Sequence, residues 1–293
     1  MKAKKNFLLI TILILLLIIV LVVGCIILNK TEYKKSQGED IKTEEIKIKS
    51  EADPNELYYY KNEDGTYEVS SDERTENCTI FNLPEEHNSA IVTTISENAF
   101  KGSNAVEINI PDSITKIEKS AFICAEKLKE VKFGKNVKQI GESAFFQCTS
   151  LEEVILPDSL EVIDDATFLS CTSLKKVTLP EGIKEIGATV FGNCEKLTEI
   201  NIPSSVKKIQ EYTFDGCSSL EKIKIPEGIE EIEFGAFDGC SSLKELHLPS
   251  SIKILGKEGW PIFDKNTIPT IYAPTGSYAE EYAKSNGISF VEE

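Results

Sequence analysis

Cysteine and histidine are the side chains here best suited to nucleophilic, redox or metal chemistry. The sequence has eight cysteines and only two histidines, His87 and His247. Five of the cysteines, Cys148, Cys171, Cys194, Cys217 and Cys240, recur every 23 residues, and Cys124 falls one residue off the same beat. A catalytic thiol needs a base within hydrogen-bond reach, and a zinc site needs closely paired ligands. The sequence holds no Cys-x-x-Cys, and neither histidine lies near a cysteine pair. Nucleophile-elbow, P-loop, zincin and dinucleotide-binding motifs do not occur either. Asn62–Thr66, NEDGT, lacks the spaced acidic ligands and closing glutamate of a calcium loop and reads as a tight turn. No catalytic residue, metal site or cofactor is therefore expected. A cysteine at a fixed interval is better explained as a small apolar core group. A bridge between directly stacked neighbours would need strained geometry, so the column from Cys124 to Cys240 is expected to hold free, buried thiols.

The elements that carry this column are set by a second one. Phe122, Phe145, Phe168, Phe191, Phe214 and Phe237 also step by 23 residues, and Phe100 precedes them by 22. A period in this range marks stacked repeats. Cys171–Asn193, CTSLKKVTLPEGIKEIGATVFGN, shows the logic of one unit. Leu174, Val177 and Leu179 place apolar groups on one side of a short strand, and Pro180 ends it because proline cannot donate to a ladder. Ile183 and Ile186 open a second short extended piece, Gly187 breaks it, and Phe191 closes the unit. One unit cannot bury its own apolar side, whereas stacked units cover one another.

This pattern resembles the bacterial leucine-rich repeat proteins of the BspA-like type, from about Leu57 to the end of the chain. The resemblance implies a β-rich right-handed solenoid with a parallel sheet on the concave side and shorter strands or turns on the convex side. Seven rungs spaced by about 4.8 Å would give a face on the order of 30 Å long. Leu57–Ser70 reads as a hairpin turning near Asp64-Gly65, in an N-terminal cap over residues 57–77. The repeats follow over 78–265. Residues 266–293 form a C-terminal cap with a short helix and a final strand.

Ahead of the repeats, residues 1–6 are basic and residues 7–28 carry no charge over 22 positions, long enough for a membrane-spanning helix. The alternative is a lipoprotein signal, with lipid on Cys25 in the sequence Val22–Cys25. Slightly more positive charge before the span than after it places the N-terminus inside and the repeats outside the cell. Residues 29–56 are dense in charge and read as a flexible spacer. Asn29-Lys-Thr and Asn77-Cys-Thr match N-glycosylation acceptors, a weak pattern. The net charge of −16 opposes binding to a nucleic-acid backbone.

With no catalytic constellation, function is sought on the surface. In each Leu-x-x-Val-x-Leu strand the third and fifth positions point outward. The third column reads Glu107, Glu130, Glu153, Lys176, Glu199, Lys222 and Glu245, and its alternation from Glu153 onward suits neighbouring ion pairs. The fifth reads Asn109, Lys132, Ile155, Thr178, Asn201, Lys224 and His247; it has no charge logic and is the candidate partner-binding face. His87 falls in a solvated turn. The resemblance implies adhesion or binding of proteins by a surface-anchored chain. A carbohydrate- or ligand-binding exodomain is the alternative, although the tyrosines Tyr58–Tyr60, Tyr278 and Tyr282 fall in the caps.

Overall fold

A computed structural model describes residues 51–71, 75–257 and 259–293. The basic tail, the anchor at 7–28, Cys25 and the spacer up to residue 50 lie outside the described residues. Among the described residues no helix is long and apolar enough to cross a membrane.

Each repeat supplies one strand to each of two parallel ladders. The long-strand ladder consists of Ile80–Asn82, Glu107–Asn109, Glu130–Lys132, Glu153–Ile155, Lys176–Thr178, Glu199–Ile200, Lys222–Lys224, Glu245–His247, Thr270–Ala273 and Phe290–Glu292. The short-strand ladder runs from Ala90–Ile95 through Lys116–Ile117, Gln139–Ile140, Val162–Ile163 and Glu185–Ile186, then from Lys208–Ile209 through Glu231–Ile232 to Ile254–Leu255. The long-strand ladder has more rungs than the expected seven, because the strand before the regular repeats and two cap strands continue it. The molecule is a β-solenoid with little helix, as the repeat implied.

The interior is a set of side-chain columns. Phe100, Phe122, Phe145, Phe168, Phe191, Phe214 and Phe237 are buried, and successive rings stack with centroids 4.8–5.9 Å apart and planes within 12°. Phe81 begins the run edge-on to Phe100 at 5.1 Å. Beside it, Cys148, Cys171, Cys194, Cys217 and Cys240 are buried and free. Each thiol donates to the carbonyl of the phenylalanine one turn back, from Phe122 O at 3.3 Å for Cys148 to Phe214 O at 3.1 Å for Cys240. Burial pushes the Cys171 and Cys240 thiols up to about 12. Cys124 does not occupy this column, contrary to expectation. Ala125 fills the slot, and Cys124 sits at the preceding residue with φ +59°. The one-residue offset visible in the sequence is therefore a real displacement of the side chain.

Main-chain hydrogen bonds account for the turn that carries each phenylalanine. Alternate amides reach the next turn: Ser143 N–H donates to Asp165 O, Phe145 to Thr167 O and Gln147 to Leu169 O, all at 2.9 Å. The amides between them close locally, with Ala144, Phe146 and Cys148 donating to the residue three back. This alternation needs left-handed backbone two residues either side of the phenylalanine, and Ser143, Gln147, Ala166, Ser170, Thr189 and Asn193 all have φ between 54° and 62°. Side chains with a Cβ disfavour that region by about 1–2 kcal/mol, so the two-way pairing of every amide must offset the strain. Glycine takes over at 216, 235 and 239. At Gly235 a Cβ would also strike the Tyr212 ring at 2.4 Å.

The ends are closed separately. The hairpin Tyr58–Lys61 and Tyr67–Ser70 is antiparallel, as expected, and Tyr67–Ser70 joins the short-strand ladder at Ala90–Ile95. The chain is folded from Glu51, so the cap also takes in residues placed in the spacer. Ala52 N–H donates to Ile80 O at 2.9 Å, and Asp53 caps the 3-10 turn Pro54–Glu56. His87 is not simply solvated. It lies in a tight hairpin with Ala90-Ile91 and stacks on Tyr59 at 3.7 Å. At the other end the helix Tyr278–Asn286 is capped by Ser277 and by Gly287 at φ 66°, and it buries Ala279 and Ala283.

Replacing Phe168 by alanine removes one ring from the middle of the stack and leaves a cavity between two turns. Urea denaturation should show a loss of about 3–5 kcal/mol, against less than about 0.5 kcal/mol for Ile155→Ala on the surface. Equal losses would mean that the ring column does not hold the turns together.

Candidate interaction face

The outward positions of the long-strand ladder form a face of adjacent columns. The third column holds neighbouring charges in register, with Glu153 beside Lys176 and Lys222 beside Glu245. The Lys222–Glu245 pair closes at 2.7 Å. Nearer the N-terminus Glu107 and Glu130 are direct neighbours of like sign. Lys132, from the fifth column, reaches across to both, at 2.6 Å from Glu107 and 3.6 Å from Glu130. Its hydrogen bond lowers the Glu107 carboxyl and raises the Lys132 ammonium from their ordinary values. Lys132 thus neutralises a repulsion within the sheet, a role that reading each column alone could not show.

The rest of the fifth column divides into three environments. Asn109 is half-buried and donates to Asn82 Oδ1 at 2.7 Å and to Glu107 Oε1 at 3.0 Å. Ile155, Thr178, Asn201 and Lys224 are exposed, and 63% of the Ile155 surface faces solvent. His247 is only 8% exposed, although it stands at the outward position expected of it. The C-terminal cap covers it. Tyr272 on the next strand stacks against its ring at 4.5 Å, Glu293 bonds Nδ1, and Glu245 lies 3.3 Å from Nε2. The bond to His247 holds the Glu293 carboxyl below its usual range. The usable part of the face therefore runs from Lys132 to Lys224.

Two groupings away from this face were not evident in the sequence. Glu233 is buried where the short-strand ladder meets the loop after Leu255, 2.6 Å from Lys208 and 3.0 Å from Lys257. Burial alone would raise its carboxyl, but the two ammonium groups outweigh that and lower it. The residue after each phenylalanine forms a further column: Ile123, Phe146, Leu169, Gly192, Asp215, Asp238 and Asp264. It changes from apolar to acidic along the solenoid. Burial first, and then the neighbouring carboxylates, push Asp215 and Asp238 up to about 6. Among the described residues, no group of three or more His, Cys, Asp or Glu is arranged to hold a metal ion.

The repeat region matches the BspA type leucine-rich repeat over residues 93–221 and 140–267, in six copies. No curated protein matches the chain. The crystal structure of a leucine-rich repeat protein from T. pallidum superposes with a TM-score of 0.62 at 29% identity, covering 66% of this chain and 91% of that one. A leucine-rich repeat protein from Bacteroides capillosus is 27% identical over 44% of this chain and 95% of its own, with a TM-score of 0.39. A leucine rich cell surface protein from Faecalibacterium prausnitzii is 20% identical over 81% of this chain and 97% of its own, with a TM-score of 0.33.

The acidic column gives a pH dependence whose sign is fixed. Asp215 and Asp238 have folded-state values near 6 against 3.8 for the free side chain, so the fold favours their protonated forms. Their contribution to stability is complete below about pH 4 and is lost as pH rises through about 6. Asp238→Asn should raise the melting temperature at neutral pH by about 2–4 °C, with no difference from the parent chain below about pH 4. An unchanged melting temperature at neutral pH would show that the carboxylates do not repel.

Proposed function

The chain belongs to the family of BspA-type leucine-rich repeat proteins, and from that premise we propose that it is a binding scaffold that engages another protein through its long-strand face. The observation that carries this reading is the exposed run Lys132, Ile155, Thr178, Asn201 and Lys224 on a rigid parallel ladder. Rungs of fixed spacing present side chains without the ordering cost of mobile loops. Solenoids of this kind use such extended surfaces for partner contact. The family is typically one of non-enzymatic scaffolds, and an enzymatic role is not part of the proposal.

The proposal extends to location. Residues 7–28 are uncharged over a membrane-spanning length, and the excess of lysine ahead of them favours an N-terminus inside. On this reading the segment, or lipid on Cys25, tethers the chain to the cell membrane and the repeats face outward, where adhesion to a neighbouring or host surface is the use they suit.

Two measurements test the two parts. Full-length chain in detergent serves as bait, beside a variant carrying Lys132→Glu, Ile155→Glu, Asn201→Lys and Lys224→Glu with unchanged circular dichroism. Extracellular proteins captured by the parent and not by the variant support the face; equal capture by both moves the contact elsewhere. Protease added to intact cells should degrade the repeats while the cytoplasm stays protected. Repeats that survive until the cells are lysed would refute the outward orientation.

A further inference from the structure

The long-strand ladder is not continuous. In most turns the residue after the strand donates to the next rung, as Ile110 does to Lys132 O at 2.8 Å and Leu156 to Thr178 O at 3.1 Å. The residue before the strand donates back, as Lys175 does to Glu152 O at 2.8 Å. Between Glu130–Lys132 and Glu153–Ile155, among the described residues, neither bond forms, and the two strands belong to separate hydrogen-bonded sheets. Phe133 N–H, Ile155 C=O, Glu152 N–H and Lys129 C=O are left without the turn-to-turn partners their counterparts have.

The sequence supplies a cause. Six of the other turns end this strand with Leu-Pro or Ile-Pro, at Ile110-Pro111, Leu156-Pro157, Leu179-Pro180, Ile202-Pro203, Ile225-Pro226 and Leu248-Pro249, but here the pair is Phe133-Gly134. A Cβ at Gly134 would lie 2.2 Å from the carbonyl oxygen of Pro111. The chain at Gly134 therefore sits closer to the preceding turn than any side chain would allow, which draws this rung away from the following one. Phe133 remains half-buried, edge-on to Phe145 at 6.0 Å.

The opening is a cavity of about 530 Å³ lined by Lys129, Glu130, Val131, Lys132, Phe133, Glu152, Glu153 and Ile155. Its apolar wall is the exposed Ile155 with Phe133, and its rim carries three carboxylates against two ammonium groups. Lys132 is already engaged by Glu107 and Glu130, and Glu152 by Lys175. Glu153 makes no ion pair among the described residues. The other break in the ladder, between Glu199–Ile200 and Lys222–Lys224, is flanked outward by Glu199, Asn201, Lys222 and Lys224 and offers no apolar anchor.

We infer that this opening is a peptide-binding subsite for an extended partner segment in which a large apolar side chain is flanked by lysine or arginine. The apolar side chain seats between Phe133 and Ile155. The basic neighbours meet Glu153 and Glu130, and the partner's main chain supplies bonds to the unpaired groups at Phe133 and Glu152. The inference rests on the reading of the long-strand face as a protein-binding surface.

Fluorescence anisotropy of the full-length chain with labelled five-residue peptides tests it. The probes are Lys-Leu-Lys-Leu-Lys, Lys-Ser-Lys-Ser-Lys and Glu-Leu-Glu-Leu-Glu. The first should bind at least about tenfold more tightly than either of the others, a difference of about 1.4 kcal/mol. Ile155→Glu and Glu153→Lys should each weaken it about tenfold. Glu185→Lys, with the same charge change on the short-strand ladder, should leave it unchanged. Equal weakening by Glu185→Lys would reduce the effect to net charge and overturn the subsite. Undiminished binding by Ile155→Glu together with loss on Thr178→Glu would overturn the subsite and keep the face. No binding of the leucine peptide by the parent chain would refute the subsite, while the capture experiment would still decide the face.

Discussion

The rest of the structure depends on main-chain hydrogen bonding between consecutive turns. A turn of 23 residues carries two short strands and a stretch of alternating turn geometry, and each of the three pairs with the turn beside it. A buried amide or carbonyl without a partner is costly, so once one turn is placed the path of the next is nearly fixed. The phenylalanine stack and the thiol-to-carbonyl bonds occupy the space this leaves inside. The interval cannot drift without breaking all three at once. The 22-residue step from Phe100 to Phe122 coincides with the loss of the cysteine slot: Ser103 N–H bonds Phe100 O there, as Cys148 N–H bonds Phe145 O.

Because the backbone and the inner columns hold the stack, the outer columns are free to vary. Many use that freedom for ion pairs one turn apart, such as Lys119–Glu142, Glu152–Lys175, Glu161–Lys184 and Glu230–Lys253. These pairs are exposed and screened, and they moderate the repulsion of a chain with a net charge of −16 more than they hold it together. The acidic column at Asp215, Asp238 and Asp264 is the exception, where like charges stack without relief. Binding residues would be recruited from the same free columns, and so the partner surface lies on the ladder and not in a cleft.

Much of this was legible in the sequence because a repeat states the same physical requirement many times. Leu174, Val177, Leu179 and Phe191 announce their burial by spacing alone, and Pro180 marks the strand end. The hairpin at Tyr58–Ser70 and the closing helix were readable from turn chemistry. What the sequence hid depends on contacts made once. His247 has the position of an exposed face residue, but a cap strand 43 residues later, at Phe290–Glu292, brings Glu293 onto its ring. Glu51 and Ala52 look like spacer and pair with Ile80. Glu233 occupies a slot filled elsewhere by Asp164 or Gln210, and its burial follows only from Lys208 and Lys257 closing over it. Phe133-Gly134 was visible as a departure from Leu-Pro, but its consequence, an opened ladder, needed the distance from Gly134 to Pro111.

Hydrogen exchange of individual amides tests the account most directly, since its central claim is that turn-to-turn main-chain bonds hold the solenoid everywhere except where the ladder opens. The amides of Phe145, Phe168 and Phe191 donate to the next turn at 2.9, 3.0 and 2.9 Å, and Leu156 and Lys175 donate within the long-strand ladder. These five should exchange only through global unfolding. Phe133 and Glu152 should exchange faster by orders of magnitude. Protection of Phe133 and Glu152 equal to that of Leu156 and Lys175, or rapid exchange at Phe145 and Phe168, would contradict the account.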